Sequence, residues 1–273
     1  MLRISDLTLS GTTRHINNNI PFPRLLYNLF MPLKLISLNI EGKKHFARFL
    51  SFLKHQNPDL VCLQEVFVAD IPRLEKELNL QSVFVPLWYL SEQENYQSGS
   101  YKKEVWGMTI FSRLPLNQTQ HQYYFGQADP LLAYTGPGTS CRALLWTTVA
   151  KNNQSFTVAT THFTWTPTGQ STPQQKKHLQ KLLNILKTIP DFVLCGDFNS
   201  PRGETTFDAL ASLYQDNLPL NIASTIDPRL HQAGPLKLVV DGLFSTPPYL
   251  VKNVSVKCNL SDHCAIIADI NNS

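Results

Sequence analysis

Apolar positions along this chain follow two different periods. Residues 33–40, 60–66, 82–88, 108–111, 143–149, 156–163, 192–197, 238–244, 251–256 and 264–270 are short apolar runs of strand length. Helical spacing appears between some of them. Phe46, Phe49, Leu50 and Leu53 give one apolar face to a helix over 43–56, and Leu179, Leu182, Leu183 and Leu186 do the same over 172–188. Residues 71–80 and 204–214 also read as helices. Asn57-Pro58-Asp59 should stop the first helix. Thr172 suits an N-cap, Pro173 the first helical position, and Gln175 the far end of a capping box. Asn152-Asn153 marks a hairpin turn between paired strands over 143–149 and 156–163. Residues 89–106 read as a polar loop and 115–140 as irregular, the latter because of Gly126, Pro130, Gly136, Pro137 and Gly138.

Strands outnumber helices, and hairpins mix with crossovers. Two mixed sheets packed face to face, with helices outside, suit that mixture. Residues 1–30 show little periodicity and contain Asn17-Asn18-Asn19, Pro21 and Pro23. They are expected to be an N-terminal extension, with one main domain over 31–273 and Met31 a candidate start.

Composition sharpens this picture. The 273 residues suit one large domain, and a chain 42% hydrophobic but only 16% charged is not disordered. A net charge of +4 favours an anionic partner, but no Lys/Arg block predicts non-specific nucleic-acid binding. The five cysteines, Cys62, Cys141, Cys195, Cys258 and Cys264, are odd in number and lack CxxC spacing. They are expected to be buried free thiols in a reducing compartment rather than zinc ligands. The polar first 20 residues and the lack of any run of 18 apolar residues predict no signal core and no membrane span, so the expected location is cytoplasmic.

The candidate chemistry sits where apolar runs end. Glu65 closes Leu60-Val61-Cys62-Leu63-Gln64-Glu65, where a charge must be solvated, paired or metal-bound. Asp197 and Asn199 follow Val193-Leu194-Cys195-Gly196 and share one side if the chain stays extended, although Gly, Asp, Asn and Ser also favour a polar turn. Asp262 and His263 precede the final strand, and Asp241 is a plausible carboxylate to hold the imidazole. His162 ends Ala159-Thr160-Thr161-His162 and Asn39 ends Ser37-Leu38-Asn39, each weak by itself. His45, His55 and His178 fall on expected helices and read as surface residues.

The joint order Asn39, Glu65, His162, Asp197 with Asn199, Asp241, Asp262 with His263 resembles the endonuclease/exonuclease/phosphatase superfamily, over roughly 33–270. The Gln64-Glu65, Gly196-Asp197-Phe198-Asn199 and Ser261-Asp262-His263 motifs carry the resemblance, with Gly107 to Arg113 as a further family-like strand. It implies a four-layer α/β/β/α sandwich, and a metal-dependent phosphoester hydrolase with its site at one end of both sheets. It implies Glu65 as a direct Mg²⁺ ligand, supported by Asn39 and Asp262, with Mn²⁺ able to substitute. Asp197 would activate water, Asn199 and His162 would donate to phosphate oxygens, and His263, held by Asp241, would contact phosphate or transfer a proton. Arg142 and Trp165 are further candidate substrate contacts. The expected substrate is a phosphodiester in nucleic acid or a nucleic-acid adduct. A lipid headgroup or small phosphate ester is the alternative, and a non-catalytic binding module the third. Tyr96, Tyr101, Trp106, Tyr123, Lys102 and Lys103 are expected at the cleft rim.

Overall fold

The computed structural model describes residues 31–90, 104–136 and 138–272. The expected extension over 1–30 and the rim residues Tyr96, Tyr101, Lys102 and Lys103 lie outside the described residues.

Among the described residues twelve strands form two sheets of six. The first holds β1 (Leu33–Asn39), β2 (Leu60–Phe67), β3 (Gln81–Leu90), β4 (Glu104–Ser112), β11 (Tyr249–Lys257) and β12 (Ala265–Asn272), in the order β11-β12-β1-β2-β4-β3. The second holds β5 (Asn117–Phe125), β6 (Arg142–Lys151), β7 (Gln154–His162), β8 (Val193–Asp197), β9 (Gln215–Asp216) and β10 (Asp241–Ser245), in the order β5-β6-β7-β8-β10-β9. Each sheet contains one parallel pair, β1 with β2 and β7 with β8, and every other pairing is antiparallel.

The apolar runs are continuous because their strands are covered on both faces. In β1, Leu33 and Leu35 enter the core between the sheets, while Ile36 and Leu38 face α1 (Phe46–Gln56) and α2 (Ile71–Leu78). Strand β2 divides the same way, with Leu60 and Cys62 inward and Val61 and Leu63 outward. Leu179 and Leu182 of α3 (Pro173–Leu186), with Phe207 and Leu210 of α4 (Thr205–Leu213), join the core on the side of the second sheet. The expected α/β/β/α sandwich of two mixed sheets is the observed architecture.

Local signals act largely as expected. Asn57 adopts the left-handed conformation that closes α1, and its N–H donates to Leu53 O. Asn152 and Asn153 both take positive φ in the β6–β7 turn.

Five expectations need correction. Residues 117–125 form a strand, because polar side chains on its exposed face hide an antiparallel pairing with β6. Residues 89–90 and 104–106 belong to β3 and β4 rather than to a loop. The Thr172 hydroxyl accepts from Gln175 N at 3.1 Å, but the capping box stays half-made, because the Gln175 side chain donates to Thr164 O at 2.8 Å instead. His178 is buried: its face of α3 packs on Phe125, with ring centroids 4.5 Å apart. Cys258 and Cys264 form a disulfide, since the chain reverses between β11 and β12 and brings residues six apart together. Cys62, Cys141 and Cys195 are buried free thiols as expected. With one bridge present, thiol chemistry no longer argues for a reducing compartment. Among the described residues no helix is long and apolar enough to cross a membrane.

Candidate active site

The two parallel pairs deliver their carboxyl ends to one place. In the first sheet Asn39 lies beside Gln64, and Glu65 follows at a break in the β2–β4 register. Glu65 has φ of 60°, a conformation costly for any residue but glycine, and the bulge turns its carboxylate out of the strand alternation. In the second sheet His162 pairs directly with Asp197. Gly196 is required just before it. Its φ is 141°, and a Cβ there would lie 2.0 Å from Thr161 O.

The side chains then meet across the sheets. Asn39 Nδ2 donates to Glu65 Oε1 and to Asp197 Oδ2, both at 3.1 Å. His162 Nε2 lies 3.5 Å from Asp197 Oδ2 and 3.8 Å from Glu65 Oε1. His263 Nε2 approaches Asp197 Oδ2 at 3.8 Å, while its Nδ1 is 2.9 Å from Asp241 Oδ2. Arg142 is buried and donates to His162 O at 3.1 Å, and its Nε has no partner.

Burial and like charge set unusual protonation here. Burial, then repulsion from Asp262, pushes Glu65 up to about 7. Burial also raises Asp197 to about 6, although His263 pulls the other way. Burial opposes charge on His263, but Asp241, Asp197 and Asp262 outweigh it and hold the imidazolium well above the ordinary histidine range. Burial, then Arg142 and His263, keeps His162 neutral well below that range. One imidazole is therefore charged and the other is not, within one cluster.

Asn199 has φ of 50°, so the chain turns rather than staying extended. Its N–H donates to Asp197 Oδ1 at 2.8 Å, and its Nδ2 donates to Phe163 O at 3.0 Å. The polar-turn reading of this segment holds, while Asn199 still lines the cleft.

The loop carrying Asp262 and His263 is braced by residues that sequence reasoning missed. Thr225 O accepts from Cys264 N and Asp227 N donates to Asp262 O, both at 2.7 Å, across a bridge between Ile226 and His263. The Thr225 hydroxyl also accepts from Val240 N and Asp241 N at 3.0 and 3.1 Å. Asp227 is buried. Burial opposes its charge, but N–H groups of Arg229, Asn259 and Leu230 hold it below the ordinary carboxyl range. The disulfide ties Cys264 to Cys258 just outside His263. No periodicity marks residues 222–237, so no local signal points to them. Gln175 is a second omission: its buried amide braces Thr164, and Thr206 donates to its oxygen.

A cleft of about 720 Å³ opens over the cluster. It is lined by Glu65, His162, Asp197, Asn199, Asp262 and His263, together with Arg142 and Trp165. Asn39 and Asp241 sit in the layer beneath, touching these side chains. All ten site residues expected from the sequence therefore converge.

A family model described as the endonuclease/exonuclease/phosphatase family matches residues 36–263. The chain belongs to that family. Solved structures agree on the endonuclease/exonuclease/phosphatase fold. An endonuclease/exonuclease/phosphatase from Bacteroides vulgatus is 17% identical with a TM-score of 0.66, over 88% of this chain and 99% of that one. The human Nocturnin catalytic domain with bound sulfate is 18% identical with a TM-score of 0.65, over 89% and 94%. A mannosyl-6-phosphatase from Bacteroides thetaiotaomicron is 13% identical with a TM-score of 0.61, over 88% and 99%. No curated protein matches by sequence.

The donor set fits a hard divalent cation. Oxygen ligands crowd the site, and the mutual repulsion of Glu65 and Asp262 is what a cation would relieve. Asp197, Asp241 and His263 also place ligand atoms within 4.8 Å of one another, with His263 Nδ1 hydrogen-bonded to Asp241 and Nε2 facing Asp197.

Proposed function

We propose that this protein is a Mg²⁺-dependent phosphoester hydrolase, acting as a phosphodiesterase. One observation carries the reading: Glu65, Asp197, His162 and His263 meet within 3.8 Å contacts at the carboxyl ends of two parallel strand pairs. Glu65, with Asn39 and Asp262 in support, would hold the ion, which when bound supplies Lewis-acid stabilisation of phosphoryl charge. Asp197 orients the attacking water and accepts its proton at Oδ2, the oxygen that Asn39 and the imidazoles surround. His263, charged and held by Asp241, donates to a phosphoryl oxygen from Nε2. Neutral His162 adds an uncharged hydrogen-bond donor, and the buried guanidinium of Arg142 adds positive charge.

Nucleic acid or a nucleic-acid adduct is the first substrate reading, supported by the aromatic side chains Trp88, Trp106, Tyr134 and Trp165 in the cleft. A small phosphate ester is the second. Four carboxylates, Glu41, Glu65, Asp197 and Asp262, line the cleft against one guanidinium and the charged His263, which suits one phosphate better than a polyanion.

A panel assay with Mg²⁺, Mn²⁺ or EDTA tests the reading. Its substrates are single-stranded DNA, abasic duplex, RNA, a 5′-phosphotyrosyl oligonucleotide, sphingomyelin and a phosphomonoester. Turnover with Mg²⁺ that EDTA abolishes is expected. Equal rates with and without EDTA would reject the metal assignment.

A further inference from the structure

We infer that the cleft beside the phosphate site is a subsite for one flat, uncharged aromatic ring carried by a single-phosphate ester. The inference deepens the hydrolase reading above and rests on it for the position of the phosphate.

A continuous aromatic wall leads away from the catalytic cluster. Trp88 meets His162 with ring centroids 6.1 Å apart, so the wall begins at a residue of the site itself. From Trp88 it runs to Trp106 at 5.4 Å and to Tyr134 at 6.1 Å, both tilted by little more than 30°. Trp106 is in turn held edge-on by Phe67 at 4.3 Å. Its other support is the loop after Asn39, where Gly42 lies so close that a Cβ would come 2.8 Å from Phe67 and 3.1 Å from Trp106. The wall is thus fixed from behind by the strand end that also bears Asn39.

Trp88, Trp106 and Tyr134 all line the cleft, and so does Trp165, which is 38% exposed at its mouth. An exposed indole in a cleft that aliphatic Leu236, Leu238 and Val240 also line leaves apolar surface in water that a ring would cover. Charge excludes other occupants. The lining offers two cationic side chains, Arg142 and the charged His263, and both lie at the first phosphate, so among the described lining residues further phosphates would meet carboxylates and no further cation. The ligand chemistry is therefore one phosphate joined to one π-face. A nucleobase on its sugar and a phenol are two sources of that face.

Binding is read directly by quenching of indole fluorescence in the full chain with Mg²⁺. The probes are benzylphosphonate, cyclohexylmethylphosphonate, a thymidine phosphonate and a single-stranded dodecanucleotide. Stacking on an aromatic wall favours the planar over the saturated ring by about tenfold in Kd. Trp106→Leu should bring that ratio toward one, with circular dichroism confirming the fold. Thymidine binding tighter than benzyl assigns the ring to a nucleobase, and the reverse order assigns it to a phenol. Equal affinity for benzyl and cyclohexylmethyl in the wild type overturns the subsite without recourse to any variant. A dodecanucleotide that binds tenfold tighter than the thymidine probe overturns the single-phosphate class. Turnover is not needed for these readings. An aryl preference in a chain that hydrolyses nothing in the panel keeps the subsite and rejects the hydrolase reading, and turnover without aryl preference does the opposite.

Discussion

The two parallel strand pairs end in the same cleft but present their carboxylates differently. Glu65, at the end of β2, has a side chain 22% exposed, whereas that of Asp197, at the end of β8, is 2% exposed. Each strand end contains a positive φ, but only Glu65 leaves the ladder, while Asp197 stays paired with His162 and Asp241. Glu65 has the positive φ itself, at the bulge, whereas at β8 Gly196 takes it one residue before Asp197. The less buried carboxylate faces Asp262, an arrangement that invites a cation. The buried one faces two imidazoles and the Asn39 amide, an arrangement suited to proton handling. In the proposed reading the same device, a strand end beside a parallel neighbour, would serve as a cation-binding side and a proton-transfer side, and the difference in burial separates the two.

The strongest way to break this comparison is at the second pair. Asp197→Asn and His263→Ala should each lower kcat by about 10²–10⁴, the usual worth of a positioned acid or base. Steady-state kinetics at saturating Mg²⁺ check this, and an equal loss of substrate binding would move His263 to a structural role.

The corresponding change at the first pair, Glu65→Gln, should raise the Mg²⁺ midpoint about tenfold or more, since even outer-sphere losses cost that much. An unchanged midpoint would remove Glu65 from the ion. The raised carboxyl groups add a pH signature. Unfolded carboxyls lose their protons near 4, whereas Glu65 holds its proton to about 7 and Asp197 to about 6. In EDTA the folded state should therefore lose stability as pH rises from 4 to 7, and Mg²⁺ should restore it. Thermal melts across that window with and without Mg²⁺ make the comparison.

Gly196→Ala sharpens the backbone half of the contrast. The clash with Thr161 O and the positive φ should cost about 2 kcal/mol or more, lowering Tm by about 4–8 °C. The smallest effect lies outside the pairs. Burial, then Lys181 and Arg142, depresses His178 to about 4. An unfolded histidine binds its proton near 6.5, so stability should fall as pH drops from 6.5 toward 4 and be untouched above. Melting His178→Gln beside the wild type should show the gap between them narrowing over that window.

Much of this architecture was legible without coordinates. Apolar runs of strand length located β1, β2, β7, β8 and β12, because a strand covered on both faces must be apolar throughout. Strand β5 escaped because Asn117-Gln118-Thr119-Gln120 shows no such run: it is an edge strand held by backbone pairing to β6. The capping residue Thr172 was readable, but the burial of Gln175 was not, since its partners Thr164 and Thr206 are distant in sequence.

The sequence alone determined which residue types stand at strand ends, and that was enough for the family and for naming ten residues that the fold brings together, because the identity of a carboxylate or imidazole is local information. Tertiary structure decided the rest. Their protonation depends on which charges lie across the gap between the sheets. The bracing by Thr225 and Asp227, the Cys258–Cys264 bridge and the aromatic wall all join segments whose proximity arises only when the chain folds back on itself. Contacts of that kind leave no periodic trace, since each is fixed by the packing of two sheets and not by the spacing of residues along one strand.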